Sequence, residues 1–172
     1  MPCRHDGSAT VLAAKVVGAR DNRRMHLVLD TNIALDLLVF DDPACRPLAA
    51  ALRRGELRWL ATAAMRKEFA RVLGYPLIAA RLAQRGLEAG AVLAAFDALA
   101  HAAAPADAAP CRCSDPDDQM FVNLAVAHQA LLLSKDQAVL SMRKSLAALT
   151  VPVRAAMNRA AAQAPSAARP AA

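Results

Sequence analysis

The sequence predicts an α/β fold, a three-layer α/β/α sandwich with a mostly parallel central sheet. Three observations carry that prediction. Short apolar runs of four or five residues recur along the chain, amphipathic stretches of helical period separate them, and caps, prolines and glycines mark the joints. At 172 residues the chain suffices for one domain with a proper core and is too short for two of ordinary size.

The elements follow in order. Residues 1–25 form a basic arm whose single apolar patch, 11–17, breaks at Gly18 and at the charged run from Arg20 to Arg24. Residues 26–29 read as a buried strand ending at Asp30, and residues 31–40 as a helix with Leu35, Leu38 and Val39 on one side and Asp36 on the other. Asp42 as cap and Pro43 in the first turn open a second helix, 43–54, closed by Gly55. Residues 57–61 are a second strand. Thr62 then caps a helix whose inner face is Met65, Phe69 and Val72 and which runs to Gly74.

Tyr75 and Pro76 turn the chain into two alanine-rich helices, 77–84 and 89–102, and Pro105 and Pro110 keep 103–114 irregular. Asp115 and Pro116 open a helix to about residue 129. After it come a third strand at 130–133, a short helix at 136–144 and a last strand at 149–153. From Ala155 onward the chain is nearly all Ala, Pro, Arg, Gln and Ser, so 154–172 reads as a disordered tail with little to bury against its ordering entropy. The expected organisation is thus an arm at 1–25, a folded domain at 26–153 and a tail at 154–172.

The formal net charge of +6 invites a nucleic-acid reading, but residues 26–153 hold thirteen basic and thirteen acidic side chains, so the excess lies in the two ends. Such ends can attract a phosphate backbone without sequence preference. No apolar run is long enough to span a membrane, and the first residues are polar and basic where a secretory leader is apolar. The expectation is a soluble, cytoplasmic protein without membrane contact. Cys3, Cys45, Cys111 and Cys113 then read as reduced thiols, since the Cys-x-Cys at 111–113 lacks zinc spacing and has no second ligand pair.

Chemistry points to the acids. Asp30 follows the first strand directly. A helix cap would account for it, yet Asp30, Thr31 and Asn32 offer three capping residues where one suffices. Glu68 lies three residues after Met65 and four before Val72, on the apolar face of its helix, where a lone carboxylate is costly unless it reaches solvent at the edge of the stripe. Asp118 fits an Asp-x-x-Asp capping arrangement with Asp115, but Asp115, Asp117 and Asp118 together crowd one helix start with more charge than its dipole rewards. Asp136 follows the third strand as Asp30 follows the first. In parallel sheets such groups gather beyond the carboxyl ends of the strands. Carboxylates brought together repel unless a divalent cation compensates, and all-oxygen ligands favour Mg2+ or Mn2+ over zinc. A cation of that kind polarises phosphoryl oxygens and activates water, so a phosphodiester is the natural substrate.

The motifs Leu-Asp-Thr-Asn at 29–32, Asp-Pro-Asp-Asp-x-x-Phe-x-x-x-Ala at 115–125 and Leu-Ser-Lys-Asp at 133–136, with the helical Glu68 between, resemble the PIN domain over residues 26–153. Within that family the chain looks most like the toxins of bacterial toxin-antitoxin modules. The resemblance implies that Asp30, Glu68, Asp118 and Asp136 surround one or two Mg2+ or Mn2+ ions. It also implies that Asn32 supports Asp30 or a bound water, that Ser134 orients Asp136, and that Asp117 rivals Asp118 as third ligand. The implied reaction is endonucleolytic cleavage of RNA, with a cognate antitoxin as partner and a homodimer as assembly. The chain departs from the pattern where Gln137-Ala138-Val139-Leu140 replaces the acid and Leu-Leu that many relatives place after the last Asp, and in its long arm before His26. Two other functions fit the same residues: an RNA-binding module of this fold without turnover, and a phosphohydrolase with Asp30 as nucleophile, against which Asn32 stands where a second Asp is expected.

Overall fold

The computed structural model describes residues 25–157; the arm and most of the tail expected from the sequence lie outside the described residues. Among them, five strands pair in one all-parallel sheet: β1 (Met25–Leu29), β2 (Leu57–Ala61), β3 (Ala100–Ala102), β4 (Leu131–Leu133) and β5 (Val153–Arg154), in the spatial order β3-β2-β1-β4-β5. Leu27, Val28 and Leu29 follow one another and are each at most 3% exposed. Successive strand residues face opposite sides, so both faces of the sheet are covered, as parallel sheets require.

Eight α-helices fill the connections among the described residues: α1 (Thr31–Leu35), α2 (Arg46–Arg53), α3 (Ala63–Leu73), α4 (Pro76–Gln84), α5 (Ala89–Leu99), α6 (Gln119–His128), α7 (Gln137–Ser141) and α8 (Arg143–Ala148). The α/β sandwich is as the sequence predicts. Trp59 sits in the core against the edge of Phe96, with ring centroids 4.6 Å apart, and Phe96 stacks on Phe69 at 5.1 Å, locking α3 and α5 onto β2. At the other end of the chain Met157 is also buried.

Several boundaries differ from expectation, each for a local reason. The helix expected over 31–40 is α1 followed by a π-helical turn, Asp36–Phe40, which ends at Asp41 in the left-handed region with φ 50°. Asp42 caps as expected by accepting from the Ala44 amide, but a 3-10 turn, Pro43–Cys45, precedes α2. Gly55, at φ 68°, supplies the left-handed turn that releases the chain into β2. Thr62 caps α3 by accepting from the Met65 amide.

The helix expected to reach residue 102 stops at Leu99, and Ala100–Ala102 joins β2 as a short edge strand, with the Ala103 amide donating to the Ala61 carbonyl. Alanine has no strand signature, so sheet pairing overrides its helix propensity there. The segment expected as one helix at 136–144 is two, α7 and α8, and the last strand is confined to Val153–Arg154.

The largest correction concerns the acidic segment. Asp115 does not cap a helix. Its Oδ1 accepts from the Asp117 amide in a tight turn, and α6 begins at Gln119 with Asp118 as its N-cap residue. The Gln119 side chain secures the approach by accepting from the Cys113 amide and donating to the Cys111 carbonyl. No helix among the described residues is long and apolar enough to cross a membrane.

Candidate active site

The chain runs outward from β1 to β2 and β3, then returns to place β4 on the other side of β1. The carboxyl ends of β1 and β4 therefore form a topological switch point, where parallel sheets leave a crevice. The Asp30 amide donates to the Leu133 carbonyl at 3.0 Å, so the residue after β1 is tied to the end of β4. Asp30 and Asp136 stand at this junction because the two strands are neighbours.

Asp30 is only 2% exposed. Its Oδ1 caps α1 by accepting from the Ile33 amide at 2.8 Å, while its Oδ2 is buried and makes no hydrogen bond. Burial pushes the Asp30 carboxyl above its ordinary pKa, the Ser134 hydroxyl and the Ile33 and Lys135 amides oppose that rise, and the Asp136 charge adds to it. Ser134 is fully buried and its hydroxyl oxygen accepts from the Asp136 amide at 3.0 Å. One side chain therefore touches both strand-end acids. Asp136 in turn caps α7, accepting from the Ala138 amide at 2.7 Å.

Asp118 gives the clearest sign that these acids share one region. Although it is the N-cap residue of α6, its side chain makes no capping bond, and its Oδ2 is buried without a partner. Its pKa is raised to about 6, first by desolvation and then by the charges of Asp136, Asp115, Asp30 and Asp117 in that order. A cap would have spent this carboxylate on backbone amides. Here it is left facing other acids.

Beside the junction opens a groove of about 590 Å³, lined by Thr31, Asn32, Glu68, Asp117 and Asp118 on its polar side and by residues including Val72, Tyr75 and Ile78 on its apolar side. Glu68 and Asp118 thus share one cleft, and the exposed Asn32 and Asp117 line it too. Glu68 differs from the other acids in one respect. The Arg71 guanidinium grips both its oxygens, at 2.7 and 2.9 Å.

The structure thus brings Asp30, Asp118 and Asp136 into mutual electrostatic contact and sets Glu68 on the wall beside Asp118, already paired. Among the described residues, no three Asp, Glu, His or Cys side chains are gathered closely enough to hold a metal ion as they stand. The donor set still suits a hard dication, because two buried carboxylate oxygens lack any partner and each such vacancy costs about 1–3 kcal/mol.

Arg71 is one of three basic residues on the Glu68 helix, with Arg66 and Lys67, and its i, i+3 spacing is the signal that identifies it. Other basic candidates for substrate contact are engaged locally, Arg66 with Asp97 and Arg54 with Glu56. Trp59 lies in the core, whereas Tyr75 is 42% exposed on the groove wall. Cys45, Cys111 and Cys113 are free thiols.

The family model described as PIN domain matches residues 26–138, which include all four acids. No curated protein matches the chain.

Proposed function

The chain belongs to the PIN domain family, a family of nuclease type, and from that premise we propose that it is a metal-dependent endoribonuclease acting as the toxin of a bacterial toxin-antitoxin module. The observation that carries the nuclease reading is the pair of buried, unpartnered oxygens, Asp30 Oδ2 and Asp118 Oδ2, at a strand switch point where Asp136 repels both. The RNA substrate, the antitoxin and the homodimer rest on the motif resemblance.

In this reading Asp30, Glu68, Asp118 and Asp136 hold Mg2+ or Mn2+. When bound, the ion polarises the phosphoryl group and activates water for attack. The remaining work is done by the chain itself. The Ile33 amide fixes Asp30 through Oδ1 and leaves Oδ2 open. Ser134 holds the Asp136 backbone and partly offsets the burial that raises the Asp30 pKa. Asn32 and Asp117, on the groove lining, orient water and substrate. The groove leads a strand of RNA past the acids, with its apolar wall available to a base. The basic residues within 1–24 and 158–172 raise the local concentration of phosphate backbone.

The test is incubation of the full chain with single-stranded and structured RNA, and with single-stranded DNA, in Mg2+, in Mn2+ and in EDTA, alongside Asp30→Asn. Cleavage of RNA that needs the cation and is lost in Asp30→Asn supports the proposal. Tight RNA binding without cleavage under any condition would make the protein a binding module. A covalent phosphate on Asp30 would make it a phosphohydrolase, a reading that Asn32, standing where a second Asp is expected, disfavours.

A further inference from the structure

Glu68 lines the same groove as Asp118, yet the two differ in what they can offer a cation. Asp118 has a buried oxygen with no partner. Glu68 has both oxygens bonded to one guanidinium, at 2.7 and 2.9 Å, so a cation approaching those oxygens competes with a positive charge already seated on them. The grip is local, between residues one helical turn apart on α3. Releasing it takes side-chain rotation and no movement of the fold.

The grip is also weak enough to yield. The Arg71 side chain is 58% exposed and that of Glu68 26%, a setting in which solvent screens an ion pair to a severalfold effect on the equilibria it enters. Two further contacts show where the guanidinium can go. It lies 5.5 Å from the centre of the Tyr75 ring, and it feels the charge of Asp117. Tyr75 and Asp117 both line the groove. The other arginine of α3, Arg66, points away from Glu68 and is held by Asp97 on α5 at 2.6 Å.

We infer that Arg71 is an exchangeable counter-ion for Glu68: it neutralises the carboxylate before metal loading, yields it to the divalent ion, and then turns its freed guanidinium along the Tyr75 side of the groove to hold a phosphate of the bound RNA. The inference rests on the nuclease reading above. It makes Arg71 a positioning residue for metal loading and a binding residue for substrate. A bidentate guanidinium suits both partners, since carboxylate and phosphate present similar paired oxygens. The exchange also couples the two ligands, because the arginine that binds substrate is released only when the ion has taken Glu68.

The experiment is calorimetric titration of Mn2+ into the full chain without RNA, for the native protein, Arg71→Gln, Glu68→Gln and the double variant. Lys67→Gln, which removes an exposed positive charge from the adjoining helix position, serves as the charge control. With its competitor gone, Glu68 in Arg71→Gln should bind Mn2+ about three- to fivefold more tightly, the worth of an exposed bidentate pair. Lys67→Gln should change affinity far less, and the Arg71→Gln gain should vanish in the Glu68→Gln background. In steady-state cleavage at saturating Mn2+, Arg71→Gln should raise KM for RNA several-fold while kcat moves less.

Arg71→Gln binding Mn2+ no more tightly than Lys67→Gln, or gaining equally without Glu68, would overturn the exchange. If the native protein meanwhile bound Mn2+ and cleaved RNA, the nuclease reading would stand. Native protein that took up no Mn2+ would overturn both.

Discussion

Replacing Asp118 with Asn should make the protein more stable at neutral pH and leave it nearly unchanged in acid. The Asp118 pKa is raised from 3.8 to about 6, chiefly by desolvation and then by the neighbouring acids led by Asp136. The folded carboxyl therefore takes up its proton at a higher pH than the unfolded one. Between about pH 4 and pH 6 the native state binds more protons than the unfolded chain, so stability falls as pH rises through that window and stays lowered above it. A shift of about two units corresponds to roughly 3 kcal/mol. Asp118 is only half buried, and solvent screening reduces the figure to about 1–2 kcal/mol. Urea denaturation of both proteins at pH 7.5 and pH 3, without divalent cations, should show Asp118→Asn ahead by that amount at the higher pH and by well under 0.5 kcal/mol at the lower. Mn2+ at a hundred times its Kd should then stabilise the native protein by about 2.7 kcal/mol and the variant much less. If Asp118→Asn is destabilising at pH 7.5, or gains equally at both pH values, Asp118 is a structural acid and the reasoning fails.

Three further outcomes follow. Ser134→Ala removes the acceptor for the Asp136 amide and the hydroxyl that favours ionised Asp30. It should cost about 1 kcal/mol in urea denaturation and lower cleavage roughly 10- to 100-fold, as loss of a ligand-supporting hydrogen bond does. Lys135 bridges Asp36 at 2.6 Å and Asp42 at 3.2 Å, so Lys135→Met should destabilise by about 1–2 kcal/mol, more than a lone surface pair. Adding Asp36→Asn should return part of that loss. Phe69 is 1% exposed beneath Phe96, and Phe69→Ala should lower stability by about 3–5 kcal/mol, measured as a shift in denaturation midpoint.

How far the fold can be read from the residues depends on how distinctive each segment is. β1 and β2 are legible because apolar and β-branched or aromatic residues such as Val28 and Trp59 are packed between plain breaks. β3 is not, because Ala-His-Ala continues the composition of the helix before it and only pairing with β2 makes it a strand. The π-helical turn after Leu35 is likewise invisible, since its residues would suit an ordinary helix equally well. In the site, the nearness of Asp30 and Asp136 is legible from their places just beyond apolar strands, Asp30 directly after β1 and Asp136 after Ser134 and Lys135 beyond β4. The state of Asp118 is not, because the Asp115–Asp117 turn that delays the helix and frees its carboxylate arises from competing local hydrogen bonds. On the Glu68 helix only Arg71 among the basic residues has the i, i+3 spacing that lets it pair with Glu68, but spacing alone does not show that it holds both carboxylate oxygens.

The bond from the Asp30 amide to the Leu133 carbonyl extends the rungs of the sheet by one, beyond the last residue of β1. It gives the cleft one rigid jaw and one compliant jaw. The first is backbone tied into the middle of the molecule, so the place of Asp30 is held by the sheet itself. The second, built from an exposed turn and a rotatable glutamate, can close to suit the guest. Discrimination between ions of different radius would then be decided on the compliant side, and substitutions in the turn at 115–117 would retune it without disturbing the sheet.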